Sequence, residues 1–197
     1  FLDEARLAAR LNHPNVVQTN EVGQDGDSYF IAMEYLEGQT FRRILSRLGR
    51  GADAPLSVGM QLRVLVDALR GLHYAHDLTD FDGTPLNVVH RDMSPDNIFV
   101  TYTGQVKVVD FGIAKALGST TKTQTGMIKG KVSYMSPEQA CGEPVDRRSD
   151  IFSLGVILWE VATGQRLFSG MPDIAVLHRL TSNNIPRPGT VHGAVDE

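Results

Sequence analysis

Leu2, Ala5, Leu7, Ala9 and Leu11 recur at helical spacing, and Asn12-His13-Pro14-Asn15 ends that run with a proline, so a helix opens the chain. Val16-Val17 and Tyr29-Phe30-Ile31-Ala32-Met33 read as strands, separated by the turn-rich stretch Gly23 to Asp27. After Glu37-Gly38 the pattern changes to helices, with Leu62, Leu65, Val66, Leu69 and Leu72 on one face of a long amphipathic segment. Gly38 is therefore the expected boundary between two lobes. From Ile151 to Thr163 the chain is apolar nearly all the way round, as in a helix buried in a larger body. Leu48 to Pro55 and Asp82-Gly83-Thr84-Pro85 read as surface loops, and neither repeats nor low-complexity tracts appear.

Composition narrows the class. Of 197 residues 42% are apolar, enough for a sizeable core, which excludes a disordered chain or a disulfide-stapled miniature. With 23 acidic against 19 basic side chains, net charge −4, no basic stripe is present and no nucleic-acid partner is expected. A single cysteine, Cys141, can form no internal bridge and fits a reducing compartment. No apolar stretch nears the roughly eighteen residues of a membrane span, so no membrane contact is expected within this segment. The chain opens on Phe1 without a signal pattern, and it reads as a fragment.

The chemistry concentrates between His90 and Gly112. Val89-His90-Arg91-Asp92-Met93-Ser94-Pro95-Asp96-Asn97 precedes two short apolar strands and then Asp110-Phe111-Gly112. If Thr103-Gly104 is a two-residue turn, Tyr102 faces Gln105, Val100 faces Lys107, and Asn97 stands opposite Asp110. Opposed side chains lie roughly 5 Å apart at Cβ, so an amide oxygen and a carboxylate would flank a hard divalent cation, with Asp92 beside them. Thr-Gly is a poorer two-residue turn than Asn-Gly, and a bulge would shift this register by one. Singly, Asp110 reads as a turn former, Asn97 as a cap and Asp92 as a loop charge. A word such as Asp-Phe-Gly arises by chance on the order of once in ten thousand positions, so its place behind His-Arg-Asp is informative.

With these motifs the chain resembles the eukaryotic-like protein serine/threonine kinases of bacteria over essentially its whole length. His90-Arg91-Asp92 with Asn97 matches the catalytic loop, Asp110-Phe111-Gly112 the magnesium motif, and Ser136-Pro137-Glu138 the close of the activation segment. Glu4 matches the helix glutamate that pairs with the nucleotide-holding lysine, Glu34-Tyr35-Leu36 the interlobe hinge behind a Met33 gatekeeper, and Asp150 the start of the buried central helix. The resemblance implies an α+β, two-lobed kinase-like fold. Residues 1–37 would be a partial small lobe with the regulatory helix, two or three strands and the hinge; residues 38–197 would be the large lobe without its last helices. It further implies ATP- and magnesium-dependent phosphorylation of serine or threonine on protein substrates in signalling, in the cytoplasm, any membrane anchor lying outside the segment. Asp92 would orient the substrate hydroxyl, Asn97 and Asp110 would hold magnesium on the ATP phosphates, and Phe99 would pack under the adenine. His90 is then a packing residue rather than the general base.

Three departures bear on this resemblance. The chain begins at the first helix, so the glycine-rich loop and strand lysine are not in it and Glu4 has no visible partner; the tail beyond Ile185-Pro186-Arg187-Pro188 stops short of the family's last helices. The family's lysine two residues after the catalytic aspartate is Ser94 here, and the threonine after the late activation-segment glycine is Lys131. The exchange suggests that Lys131 brings its ammonium to the transferring phosphate while Ser94 gives its hydroxyl to Asp92; the plainer reading is a solvated lysine in a weakened enzyme. Arg91 suggests control by phosphorylation of Ser119, Thr120, Thr121, Thr123 or Thr125, by a second copy among other routes, with Lys115 as a second cation. Gly49-Arg50-Gly51 with Ala54, and Gly126 to Lys131, mimic nucleotide-binding fingerprints but lack the required context. His73 and His76 lack a third metal ligand and read as packing or surface residues. The alternative functions are a pseudokinase acting as a binding module and a small-molecule phosphotransferase, and the residues after Asp92 do not follow the tyrosine-kinase pattern.

Overall fold

The structure is a computed structural model that describes residues 7, 9–26, 28–48, 56–111 and 132–191. Leu7 and Ala9 are helical, as the spacing predicts; Glu4 and most of that first run lie outside the described residues. Strands β1 (Thr19–Asp25) and β2 (Ser28–Met33) form an antiparallel ribbon with Val22 across from Ile31 and Gly23 across from Phe30. Gly23 to Asp25 stay in the strand, so the turn is tighter than the polar composition predicts. The Phe30 ring lies over Gly23, where a methyl would stand 2.5 Å from it, so the strand needs glycine there. Val16-Val17 forms no strand of its own but one parallel bridge, Val16 to Val108.

A second sheet joins β3 (Gly38–Thr40), β4 (Ile98–Thr101) and β5 (Val106–Val108), antiparallel in that order. Gly38 approaches β4 so closely that a Cβ would lie 2.2 Å from the Val100 carbonyl oxygen. The β4–β5 register corrects the expected one. Phe99 faces Lys107, Val100 faces Val106, and the Asn97 carbonyl accepts from Val109 N at 3.0 Å, so Asn97 stands opposite Val109 and not Asp110. The cause is the turn. Gly104, at φ 84°, adds a bulge residue: its N donates to Thr101 O and Thr101 N donates to Gln105 O.

Helices α1 (Phe41–Leu48), α2 (Val58–His76), α3 (Pro137–Cys141), α4 (Arg147–Thr163) and α5 (Asp173–Thr181) complete the described body. Helix α2 starts at the Ser57 hydroxyl, which accepts Met60 N. Its packed face is not the expected one: Val64, Leu65, Ala68, Leu72 and Ala75 are buried, whereas Leu62, Val66 and Leu69 are exposed. Small residues decide the face, because Gly71 lets the backbone of Asn15 come so near that a Cβ would meet its carbonyl oxygen at 2.6 Å. Helix α4 runs through the core with Leu154, Ile157, Trp159 and Val161 buried, and an edge at Ile151 and Leu158 meets solvent. No described helix is long and apolar enough to cross a membrane.

Candidate active site

The segment from His90 to Asn97 has no regular structure, yet its main chain is held bond by bond. Asp150, in the first turn of α4 and 1% exposed, accepts His90 N and Arg91 N at 2.8 Å each, one per carboxylate oxygen. His76 Nε2 adds a third contact to the same group at 2.8 Å. Two backbone donors that no strand could serve are thereby satisfied deep in the core. His73 points elsewhere, to Asp77.

His90 joins two loops. Its Nδ1 accepts Asp92 N at 3.2 Å, which places the proton on Nε2, and Nε2 donates to Val109 O at 2.9 Å. The imidazole also lies against the Phe111 ring, 4.7 Å between centroids. Burial pushes its pKa below the ordinary value, against the upward pull of Asp150, the Val109 carbonyl, Asp92 and Asp110. The buried imidazole, with both nitrogens engaged, bridges the two loops.

Asn97 closes the set. Its Nδ2 donates to Asp92 O at 2.7 Å while its carbonyl takes Val109 N, so Asp92, Asn97 and the approach to Asp110 form one bonded unit. Asp110 leaves the strand at φ 54°, which ends the alternation of faces that the register argument uses. The link between Asn97 and Asp110 is thus His90 and Val109 rather than a ladder pair. With Nδ2 committed, Asn97 offers Oδ1, and Asp110 offers an exposed carboxylate; two hard oxygen donors on these loops suit magnesium. Among the described residues no three His, Cys, Asp or Glu side chains converge as a metal cage.

Ser94 lines the same small cavity as Asp92, and its carbonyl accepts Asn97 N at 3.0 Å. Lys131, Lys115, Ser119, Thr120, Thr121, Thr123 and Thr125 lie outside the described residues. Arg91, at φ 64°, is fixed through its main chain, its N donating to Asp150.

On the hinge side, the Glu34 side chain has structural partners. Its Oε1 accepts both Gln18 N at 2.8 Å and Lys107 Nζ at 2.6 Å. Burial raises its pKa, but the bonds from Lys107 and Gln18 outweigh that and hold it below the usual carboxylate value. Lys107, missed by motif reading, sits directly across from Phe99. Phe99 therefore shares the sheet face from which Lys107 reaches the hinge. Met33 is exposed and Leu36 half-buried.

A second network joins α1, the Asp96 loop and α4 through Tyr134. Arg42 donates to the Tyr134 hydroxyl at 2.7 Å and to Asp96 at 3.3 Å, and the Tyr134 hydroxyl donates to Glu160 at 2.8 Å. Burial raises the pKa of both the phenol and the Glu160 carboxyl. Ser153 fixes the Tyr134 carbonyl at 2.7 Å, so the strip before Ser136 is bound to α4.

A helical body around a buried central helix, a small sheet region and a histidine-centred pair of loops make an α+β fold of the kinase type. Comparison with known proteins agrees. Residues 1–188 match the protein kinase domain, and the chain belongs to that family. It is 55% identical over 189 residues to the tyrosine-protein kinase MasK of Myxococcus xanthus (strain DK1622), covering 95% of this chain and 29% of that protein. It is 38% identical over 176 residues to the serine/threonine-protein kinase PrkC of Bacillus subtilis (strain 168), covering 89% and 25%. The chain thus spans between a quarter and a third of the length of these relatives. The crystal structure of a mutant form of the PknI kinase domain of Mycobacterium tuberculosis superposes with a TM-score of 0.66 at 24% identity, covering 98% of this chain and 63% of that one, and shows the fold.

Proposed function

We propose that this chain carries the catalytic loop and magnesium motif of an enzyme that moves the γ-phosphoryl group of ATP to serine or threonine hydroxyls of protein substrates in cytoplasmic signalling. The observation that carries the reading is the bonded unit of Asp92, Asn97, His90 and Val109, which draws the catalytic loop and the magnesium motif to one place. Asp92 orients the acceptor hydroxyl and takes its proton as the oxygen–phosphorus bond forms and the bond to the leaving diphosphate oxygen breaks. Asn97 Oδ1 and Asp110 would hold magnesium, which neutralises charge on the phosphates. Met33, Leu36, Phe99 and the Glu34 carbonyl would enclose the adenine, and Glu4 would pair with a lysine upstream of the chain. Lys131 would supply the cation displaced from position 94, with the Ser94 hydroxyl given to Asp92. Arg91 would bind a phosphate on the segment that carries Thr120, Thr121, Thr123 and Thr125.

Acceptor class is the finer point. Named serine/threonine kinases among the relatives support hydroxyls of serine and threonine. Tyrosine is the second reading, favoured by the identity to a protein named a tyrosine kinase and by Ser94 in place of the family lysine. Full-length protein incubated with labelled ATP and magnesium, followed by phosphoamino-acid analysis, decides both matters. Label on serine or threonine supports the proposal, label on tyrosine alone replaces the acceptor, and no label from protein that also lacks ATPase activity rejects the enzyme.

A further inference from the structure

Resting on the kinase reading above, the geometry points to Gln139 as a positioning residue for Asp92, a role that no motif in the chain announces. Gln139 is the third residue of α3, within a capping box: Ser136 Oγ accepts Gln139 N at 3.4 Å, and Gln139 Oε1 accepts Ser136 N at 3.0 Å. A glutamate would do this equally well. The amide does something more, because Nε2 donates to Arg91 O at 2.8 Å across 48 residues of sequence. The two partners fix the amide's orientation, since a main-chain N–H needs the oxygen and a carbonyl needs the NH2.

The bond matters because of the peptide it grips. Arg91 C=O and Asp92 N–H belong to one planar unit. Gln139 holds its oxygen, and His90 Nδ1 holds its nitrogen at 3.2 Å. Asn97 Nδ2 then holds the next carbonyl, Asp92 O. Both peptide planes flanking the Asp92 Cα are therefore fixed, and with them the direction in which its side chain leaves the backbone. The unit needs an outside tether, because Arg91 is in the left-handed region at φ 64°, where a non-glycine residue stays only if its surroundings hold it. Arg91 N is tied to Asp150, and Gln139 ties the other side. Gln139 also directly follows Ser136-Pro137-Glu138, so one side chain couples the end of the activation segment to the group that meets the acceptor hydroxyl.

Gln139→Glu separates the two roles in the full-length protein, because it keeps the cap and sets an oxygen against Arg91 O. Turnover with a protein or peptide acceptor should fall at least about tenfold, while the KM for ATP stays within about twofold and the thermal midpoint holds. Hydrogen exchange in the peptide spanning His90 to Asn97 should quicken over wild type. Unchanged turnover together with unchanged exchange overturns the assignment, as does a rise in the KM for ATP at constant turnover. Gln139→Met, which lacks both polar atoms but keeps the length, is judged by the same exchange measurement should the glutamate variant unfold. If wild-type protein transfers no phosphate, the kinase reading fails by itself, and exchange alone then decides whether Gln139 holds Asp92.

Discussion

The β1–β2 ribbon and the His90–Asn97 segment invert the usual relation between regularity and order. The ribbon has an antiparallel ladder, interrupted once between Thr19 and Glu21, yet Tyr29, Phe30 and Met33 are 40–46% exposed and a two-stranded ribbon alone is marginal in water. The catalytic segment has no ladder, yet His90 and Met93 are at most 1% exposed and its polar main-chain atoms end on Asp150, Gln139, Asn97 and His90 itself. A loop becomes rigid when side chains replace the partners that a sheet would have provided. The ribbon instead depends on a few anchors at its edge, chiefly Glu34 with Lys107.

Removing the central acceptor should break the stronger region. Asp150→Ala leaves His90 N, Arg91 N and His76 without their buried partner, so urea unfolding should show a loss of about 3 kcal/mol, with phosphate transfer abolished. A loss no larger than that of a surface charge would mean that the loop is held by packing alone. At the ribbon's anchor the effect should be smaller. Glu34 remains partly solvated, so Lys107→Met should cost no more than about 1 kcal/mol and raise the KM for ATP severalfold with turnover little changed. The folded-state pKa of Glu34 is lowered, so this contribution is present above its unfolded value of 4.5 and is lost as pH falls through the folded value. Wild type and variant should converge in acid, and curves that stay parallel would exclude the ion pair as the cause.

Much of this contrast is invisible in sequence, for reasons that individual residues show. His90-Arg91-Asp92, Asn97 and Asp110-Phe111 are legible because phosphoryl transfer confines those residue types to short spacings. The long helices are legible from periodicity. The face of α2 is not, because Ala68, Gly71 and Ala75 bring backbones together without adding hydrophobic weight. The hairpin register is off by one residue because Gly104 can serve a two-residue turn or a bulge, and only the ladder decides which. Gln139, Asp150 and Lys107 reach partners 48, 60 and 73 residues away, and no local spacing encodes such bonds. The motif reading says nothing of the Glu34 side chain's bond to Lys107, since that lysine belongs to another sheet.

Milder tests sharpen the comparison. Burial lowers the His90 pKa in the folded protein below its ordinary value of 6.5. Its folded pKa is depressed, so its contribution is complete above that value and declines as pH falls. The urea midpoint should therefore drop as pH falls from about 7.5 to about 5.5, and imidazole nitrogen shifts should show the Nε2–H tautomer at the upper pH and protonation of His90 below its ordinary value. Protonation of His90 at or above its ordinary value would contradict the closed bonding of the loop.

Arg10→Ala should matter least, although Arg10 has several partners. Its guanidinium pairs with Asp80 at 3.0 Å, donates to Thr79 O at 3.2 Å and lies 4.7 Å from the Phe81 ring centre. The Arg10 and Asp80 side chains are 29% and 44% exposed, so water competes for each contact and ordering a long side chain offsets the gain. The urea midpoint of this variant should match wild type. A drop as large as that of Lys107→Met would show that the number of partners, rather than their burial, sets what a charged group contributes here.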